Sequence, residues 1–263
     1  MKKVIKSGFA LSLLLTFVFS TALAQQIAPA GEKIGVDAQG TAIYQVPSNG
    51  IRMAYKLRGA GQPLVMIVGL GNTMELWPQE VVATLAAHYQ LIILDNRGMG
   101  HTSVNDEPFS YQLFADDVIG VLDALGVRKT HVLGFSMGSV TTQKLLFEYP
   151  QRFAKAVIYA TSTDGSKVAA ILKGQVPADP IIRRQVEATT HWKSPLEKAP
   201  AIGNDVMLIV GTADQVVGTD SSKMLAAAVP GAWLVQFKGA THALMLEKPA
   251  DFARIVLTFL EQP

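Results

Sequence analysis

Cysteine is absent from all 263 residues. No disulfide can staple the fold, so the hydrophobic core alone must hold it, and no lipid can be attached through a cysteine near the N-terminus. Internal repeats, low-complexity tracts and runs of like charge are missing too. No pair of histidines has metal-ligand spacing, and no glycine-rich loop has the pattern that cradles a phosphate. Basic excess is nearly missing as well. The formal charge is +2, and removal of Lys2, Lys3 and Lys6 would take the 23 basic residues to 20 against 21 acidic ones. The chain therefore lacks the electrostatic footprint of a nucleic-acid binder.

Those three lysines precede an apolar run from Phe9 to Phe19, followed by Ala22-Leu23-Ala24. The order of a charged segment, a short apolar segment and a small-x-small ending is that of a cleaved export signal. The run falls short of the roughly 20 apolar residues that cross a bilayer. The expectation is a signal over residues 1–24, release into the periplasm or outside the cell, and no lasting membrane anchor. An uncleaved N-terminal anchor is the competing reading. Removing 24 of the 263 residues leaves 239, residues 25–263, enough for one α/β domain with a well-buried core.

After a polar leader to Gln39, the segments "TAIYQV" and "IRMAYKLRG" flank Pro47-Ser48-Asn49-Gly50, which predicts a β-hairpin. The pattern then changes. "PLVMIVG", "LIILD", "HVLGF", "AVIYA", "VMLIVG" and "WLVQF" are short apolar runs without alternation, as expected of strands covered on both faces. Helical periodicity falls between them, over Glu75–His88, Tyr111–Leu125, Ser136–Tyr149, Ser222–Val229 and Pro249–Leu260. Alternation of this kind predicts an α/β fold: a mostly parallel central sheet with helices on both faces and an antiparallel hairpin at one edge. Residues 163–203 interrupt the rhythm with two helix-like pieces and several prolines. They read as a short cap inserted at the C-terminal ends of the strands.

Chemistry concentrates at that edge. Ser136 sits in "GFSMGS" between a strand and a helix, where Gly134 and Gly138 allow a sharp turn and close packing. A serine hydroxyl there needs a base, and the base needs an orienting acid. Of the five histidines, His242 in "GATHALMLEKP" lies after the last strand and can reach the same edge. Asp214, just past "VMLIVG", supplies the acid, with Asp164 after the preceding strand as its rival.

Four segments in this order, "LIILDNRGMGHTS", "GFSMGS", "LIVGTADQVV" and "GATHALMLEKP", make the chain from about Ile51 onward resemble the α/β-hydrolase superfamily. The resemblance implies Ser136 as nucleophile, His242 as base and then acid, and Asp214 as the orienting carboxylate. It also implies backbone amides of Leu70 and Met137 as the oxyanion hole, and a mainly structural role for Asp95, Arg97, Gly98 and Gly100. One departure stands out. Where the family usually carries His-Gly, this chain has Val68-Gly69. The neighbouring Gly69-Leu70-Gly71 imitates a dinucleotide fingerprint, but Met74 occupies the third glycine position.

The expectation is therefore a serine hydrolase of the esterase, lactonase or haloperoxidase-like branch, acting on a small ester or lactone without a cofactor or metal. Met74, Trp77, His191, Trp192 and Met245 are the candidate pocket residues. Perhydrolysis, carbon–carbon cleavage and ligand binding with little turnover stay open, because one triad serves several chemistries.

Overall fold

The computed structural model describes residues 26–172 and 177–263, so the expected export signal lies outside the described residues. Its N-terminal part is antiparallel. β1 (Glu32–Val36) pairs with β2 (Ala42–Ser48), which turns back into β3 (Ile51–Arg58). Asn49 and Gly50 make that turn with φ of 45° and 75°, the doubly positive pair that matches the twist of a hairpin. β1 lies within what the sequence predicts as a polar leader. All five of its residues are exposed, so no apolar pattern could announce it, and backbone pairing to β2 defines it.

The rest alternates as predicted: β4 (Gln62–Ile67), α1 (Gln79–Ala86), β5 (Tyr89–Leu94), α2 (Tyr111–Ala124), β6 (Thr130–Phe135), α3 (Met137–Glu148) and β7 (Phe153–Tyr159). Two cap helices follow, α4 (Gly165–Leu172) and α5 (Pro180–Thr190), with a 3-10 turn at Leu196–Ala201. The chain closes through β8 (Asp205–Gly211), α6 (Asp220–Ala228), β9 (Trp233–Phe237), α7 (Leu244–Glu247) and α8 (Pro249–Leu260). The single helix predicted over Glu75–His88 is instead a 3-10 turn at Met74–Leu76 and then α1. Pro78, which lacks an amide proton and disfavours a helical Trp77 before it, separates them.

Among the described residues nine strands form one sheet in the order β1-β2-β3-β5-β4-β6-β7-β8-β9, and every pairing from β5 to β9 is parallel. Period two within the buried strands divides the core. Leu64, Met66, Leu91 and Ile93 meet Val81, Leu85, Phe252 and Val256 of α1 and α8. Val65, Ile67, Ile92 and Leu94 meet Val118, Val121, Leu145 and Leu225 of α2, α3 and α6. Each such side chain contributes about 1.5–3 kcal/mol on burial, which is how the fold stands without a disulfide. β9 departs from the expectation of a strand covered on both faces. It is the sheet edge, and its residues are exposed or half-buried. No helix among the described residues is long and apolar enough to cross a membrane.

Two glycines set the position of α3. A Cβ on Gly134 would lie 2.3 Å from the Gly138 carbonyl oxygen, and one on Gly138 would lie 2.2 Å from that of Ile67. Only hydrogen fits at either place, so α3 settles against the sheet with its first turn beside the end of β4.

Candidate active site

Ser136 joins β6 to α3 with φ 54° and ψ −116°. The turn is held from both sides: the Ser136 amide donates to the Tyr159 carbonyl at 2.9 Å, and the Ser139 hydroxyl donates to the Ser136 carbonyl at 2.6 Å. The Ser136 side chain stands at the N-terminal end of α3, where the helix dipole favours negative charge.

His242, between β9 and α7, brings Nε2 to 3.0 Å from Ser136 Oγ. Its Nδ1 lies 2.8 Å from Asp214 Oδ2. The carboxylate makes Nδ1 the protonated nitrogen, which leaves the Nε2 lone pair to accept the serine proton. Tyr159 donates its hydroxyl to the His242 carbonyl at 2.6 Å, and the Phe135 ring packs 5.1 Å from the imidazole. Asp214 Oδ1 accepts from the Val216 and Val217 amides at 2.8 and 3.0 Å. Burial works to raise the Asp214 carboxyl pKa, but the His242 ring and these two amides outweigh it, and the pKa lies below the ordinary carboxylate value. Asp214 is thus held as an anion behind His242.

Asp164, the rival acid, is engaged elsewhere. Lys193 reaches its Oδ2 at 2.5 Å, and the Ser166 hydroxyl and amide bond its Oδ1. These partners hold its carboxyl down to about 2, and the ion pair ties the start of the cap to its end.

The loop after β4 runs against Ser136: a Cβ on Gly69 would lie 3.1 Å from Ser136 Cβ. Among the described residues neither the Leu70 nor the Met137 amide finds an acceptor. Both therefore remain available to an oxygen beside Ser136.

The predicted pocket residues divide. Met245 lines an open cleft beside His242. Met74 and Trp77 do not reach the site. They are buried in the core with Val81 and Leu85, and they border a separate small cleft at Lys56 and Glu75. Trp192 stands behind Tyr111, ring centroids 5.0 Å apart, with Nε1 donating to the Ser162 carbonyl. His191 faces an outer cleft with Phe109 and Arg184. Sequence reasoning missed Tyr111, Val140 and Thr189, which line the cavity at Ser136. On a linear pattern they read as ordinary helix residues.

A family model described as the α/β-hydrolase fold matches residues 62–185. A solved hydrolase from Pseudomonas aeruginosa superposes with a TM-score of 0.73 at 26% identity, covering 84% of this chain and 98% of the other. The chain has the α/β-hydrolase fold. A Mycobacterium tuberculosis protein named as a non-heme bromoperoxidase, BpoC, is 38% identical over 112 residues, 42% of each chain. The 3-oxoadipate enol-lactonase 2 of Acinetobacter baylyi is 29% identical over 147 residues, 53% of each chain. The chain thus spans about half the length, or less, of these two curated relatives.

With the α/β-hydrolase fold but Val68 in place of the usual histidine, the chain secures its Leu70 loop by other means. Asn96 Nδ2 donates to the Val68 carbonyl at 3.0 Å, and Asn72 Nδ2 donates to the Leu70 carbonyl at 2.8 Å. From the cap, fully buried Gln185 accepts from the Gly71 amide at 2.8 Å. The Asp95-to-Gly100 motif is part of the same scaffold. Asp95 accepts from the Met74 and His101 amides, and buried Arg97 pairs with Asp117 of α2.

Proposed function

We propose that this chain is an exported serine hydrolase that cleaves an ester or lactone through an acyl-enzyme. The observation that carries the reading is the continuous relay of Asp214, His242 and Ser136 beside two amides without an acceptor. Ser136 Oγ attacks the carbonyl carbon as His242 Nε2 takes the hydroxyl proton. Asp214 stabilises the imidazolium, and the Leu70 and Met137 amides receive the negative oxygen. His242 then protonates the departing alkoxide. Water attacks the acyl-Ser136 carbonyl with His242 as base, which releases the acid and restores the serine. No cofactor enters this scheme. The relative named as an enol-lactonase supports the reading, and the N-terminal lysines and apolar run support export.

A second reading has a specific observation in its favour, the relative named as a bromoperoxidase. Hydrogen peroxide in place of water at the deacylation step would give a peracid and free Ser136. Assaying peracid formation alongside ester hydrolysis separates the two.

Fluorophosphonate labelling tests the nucleophile. Wild type should be labelled and Ser136→Ala should not. Asp214→Asn should lower kcat by about 10⁴ through the wrong histidine tautomer, whereas Asp164→Asn should leave the rate within a small factor. An unlabelled wild type would turn the reading toward a protein that binds its ligand without turnover. Sequencing of the exported protein should begin at Gln25.

A further inference from the structure

Two cavities of unequal size lie against different members of the relay. One, of about 30 Å³, is lined by Ser136, Leu70 and Met137 and walled by Tyr111, Val140 and Thr189; it does not include His242. The other is an open cleft of about 520 Å³ lined by His242 with Phe135, Val216, Met245 and Leu246; it does not include Ser136.

The mechanism assigns each cavity to one arm of the substrate. The carbonyl oxygen must point at the Leu70 and Met137 amides while Ser136 Oγ approaches the carbon. The leaving oxygen must lie within reach of His242 Nε2, since His242 protonates it. The alcohol portion therefore extends on the His242 side, into the open cleft. The acyl substituent is left the space beside Leu70 and Met137.

That space is small, and its Tyr111–Thr189 side is firmly held. A water-sized group needs about 10–15 Å³ of such volume, so about 30 Å³ holds two or three, which leaves one or two carbon atoms beside the carbonyl oxygen. The wall is braced: the Tyr111 hydroxyl and Thr189 Oγ1 are 3.1 Å apart, both residues are buried, and the Trp192 ring packs behind Tyr111. The cleft beyond His242 is apolar and ends at Val216 and Leu246, two large hydrophobic side chains that remain exposed.

The geometry points to a hydrolase for short-chain acyl esters, of the acetyl or propionyl class, with bulky apolar alcohols. This rests on the ester-hydrolase reading above and adds the substrate's two halves to it.

The test uses the full mature protein and two ester series. Acetate, butyrate and hexanoate of 2-(1-naphthyl)ethanol vary the acyl arm. Ethyl acetate against 2-(1-naphthyl)ethyl acetate varies the alcohol at similar alkoxide basicity. From acetate to hexanoate kcat/KM should fall by about 100-fold or more, since one methylene in a hydrophobic pocket is worth about 10–200-fold. The naphthylethyl acetate should exceed ethyl acetate by at least about tenfold. Val140→Ala and, separately, Thr189→Ala should shift the preference toward butyrate by about tenfold relative to acetate. Fluorophosphonate labelling is run on the same samples. Labelled protein that turns over hexanoate as well as acetate, or both alcohols equally, overturns the assignment of the two cavities and leaves the hydrolase reading standing. Unlabelled protein overturns both.

Discussion

Replacing Ser136 with glycine should raise stability even as it removes the hydroxyl. The backbone there holds φ 54° and ψ −116°, a conformation that costs a residue bearing a Cβ about 1–3 kcal/mol. It persists because the surroundings over-determine it. Its amide is bonded to β7, its carbonyl accepts from the Ser139 hydroxyl and from the Ser139 and Val140 amides, and α3 is pressed against the sheet at Gly138. The correct control is Ser136→Ala, which also loses the 3.0 Å contact to His242 and differs from glycine only in the Cβ. Glycine gives back about 0.4–1 kcal/mol through the greater freedom of its unfolded chain. The midpoints of the two ranges leave a net difference of about 1.3 kcal/mol in favour of glycine. At about 2–4 °C per kcal/mol for a domain of this size, the glycine variant should melt about 3–5 °C above the alanine variant. Urea denaturation followed by circular dichroism, with equal slopes for the two proteins, gives the free-energy difference directly. An alanine variant as stable as the glycine variant, or more so, would refute the claim that the turn is strained.

The cap should act on chemistry through Gln185. Gln185→Met keeps the side-chain length but removes the acceptor for the Gly71 amide; it should lower kcat while moving KM little, up to the 10²–10³-fold that one oxyanion donor is worth. Equal losses in kcat for an ester and in the melting midpoint of the protein would instead mean a general loosening. His131 should make the protein acid-sensitive. Burial first, and then nearby Lys155 and Lys129, hold its pKa down to about 4 from an ordinary value of 6.5. Between those values the unfolded chain takes up a proton that the folded one refuses, so stability is fully present above about pH 6.5 and falls as the pH drops toward 4. The loss should reach about 3 kcal/mol at 1.36 kcal/mol per unit. His131→Gln should flatten the dependence of urea stability between pH 7 and 4.5, and an unchanged slope would count against it.

Much of the site was legible because its determinants are local. Apolar runs of strand length stop abruptly at Phe135 and Gly211, and the residues just past them, Ser136 and Asp214, stand at the sheet's C-terminal edge by construction. A parallel sheet brings all such ends together whatever lies between them. The same locality explains the two cap helices, whose periodicity needs no knowledge of the sheet.

Other features depend on which face a residue presents to a distant partner, and periodicity carries no such information. Met74 and Trp77 are apolar residues in the right loop, yet the 3-10 turn directs them into the core beneath α1. Asp164 and Asp214 follow neighbouring strands, and only the fold sets Asp214 against His242 while Lys193, arriving from the far end of the cap, joins Ser166 in engaging Asp164. Gln185 meets Gly71 across 114 positions of sequence. Tyr111 and Thr189, 78 positions apart, meet in the wall of the cavity at Ser136. By itself the sequence determined the order of strands and helices and singled out the serine, the histidine and the aspartate that the fold brings within hydrogen-bond distance, since short-range patterning and chain order encode them. The tertiary structure decided the pocket, the hold on the Leu70 loop and the unequal arms of the site. Each of these is a contact between segments that share no local pattern and meet only when the cap docks on the sheet.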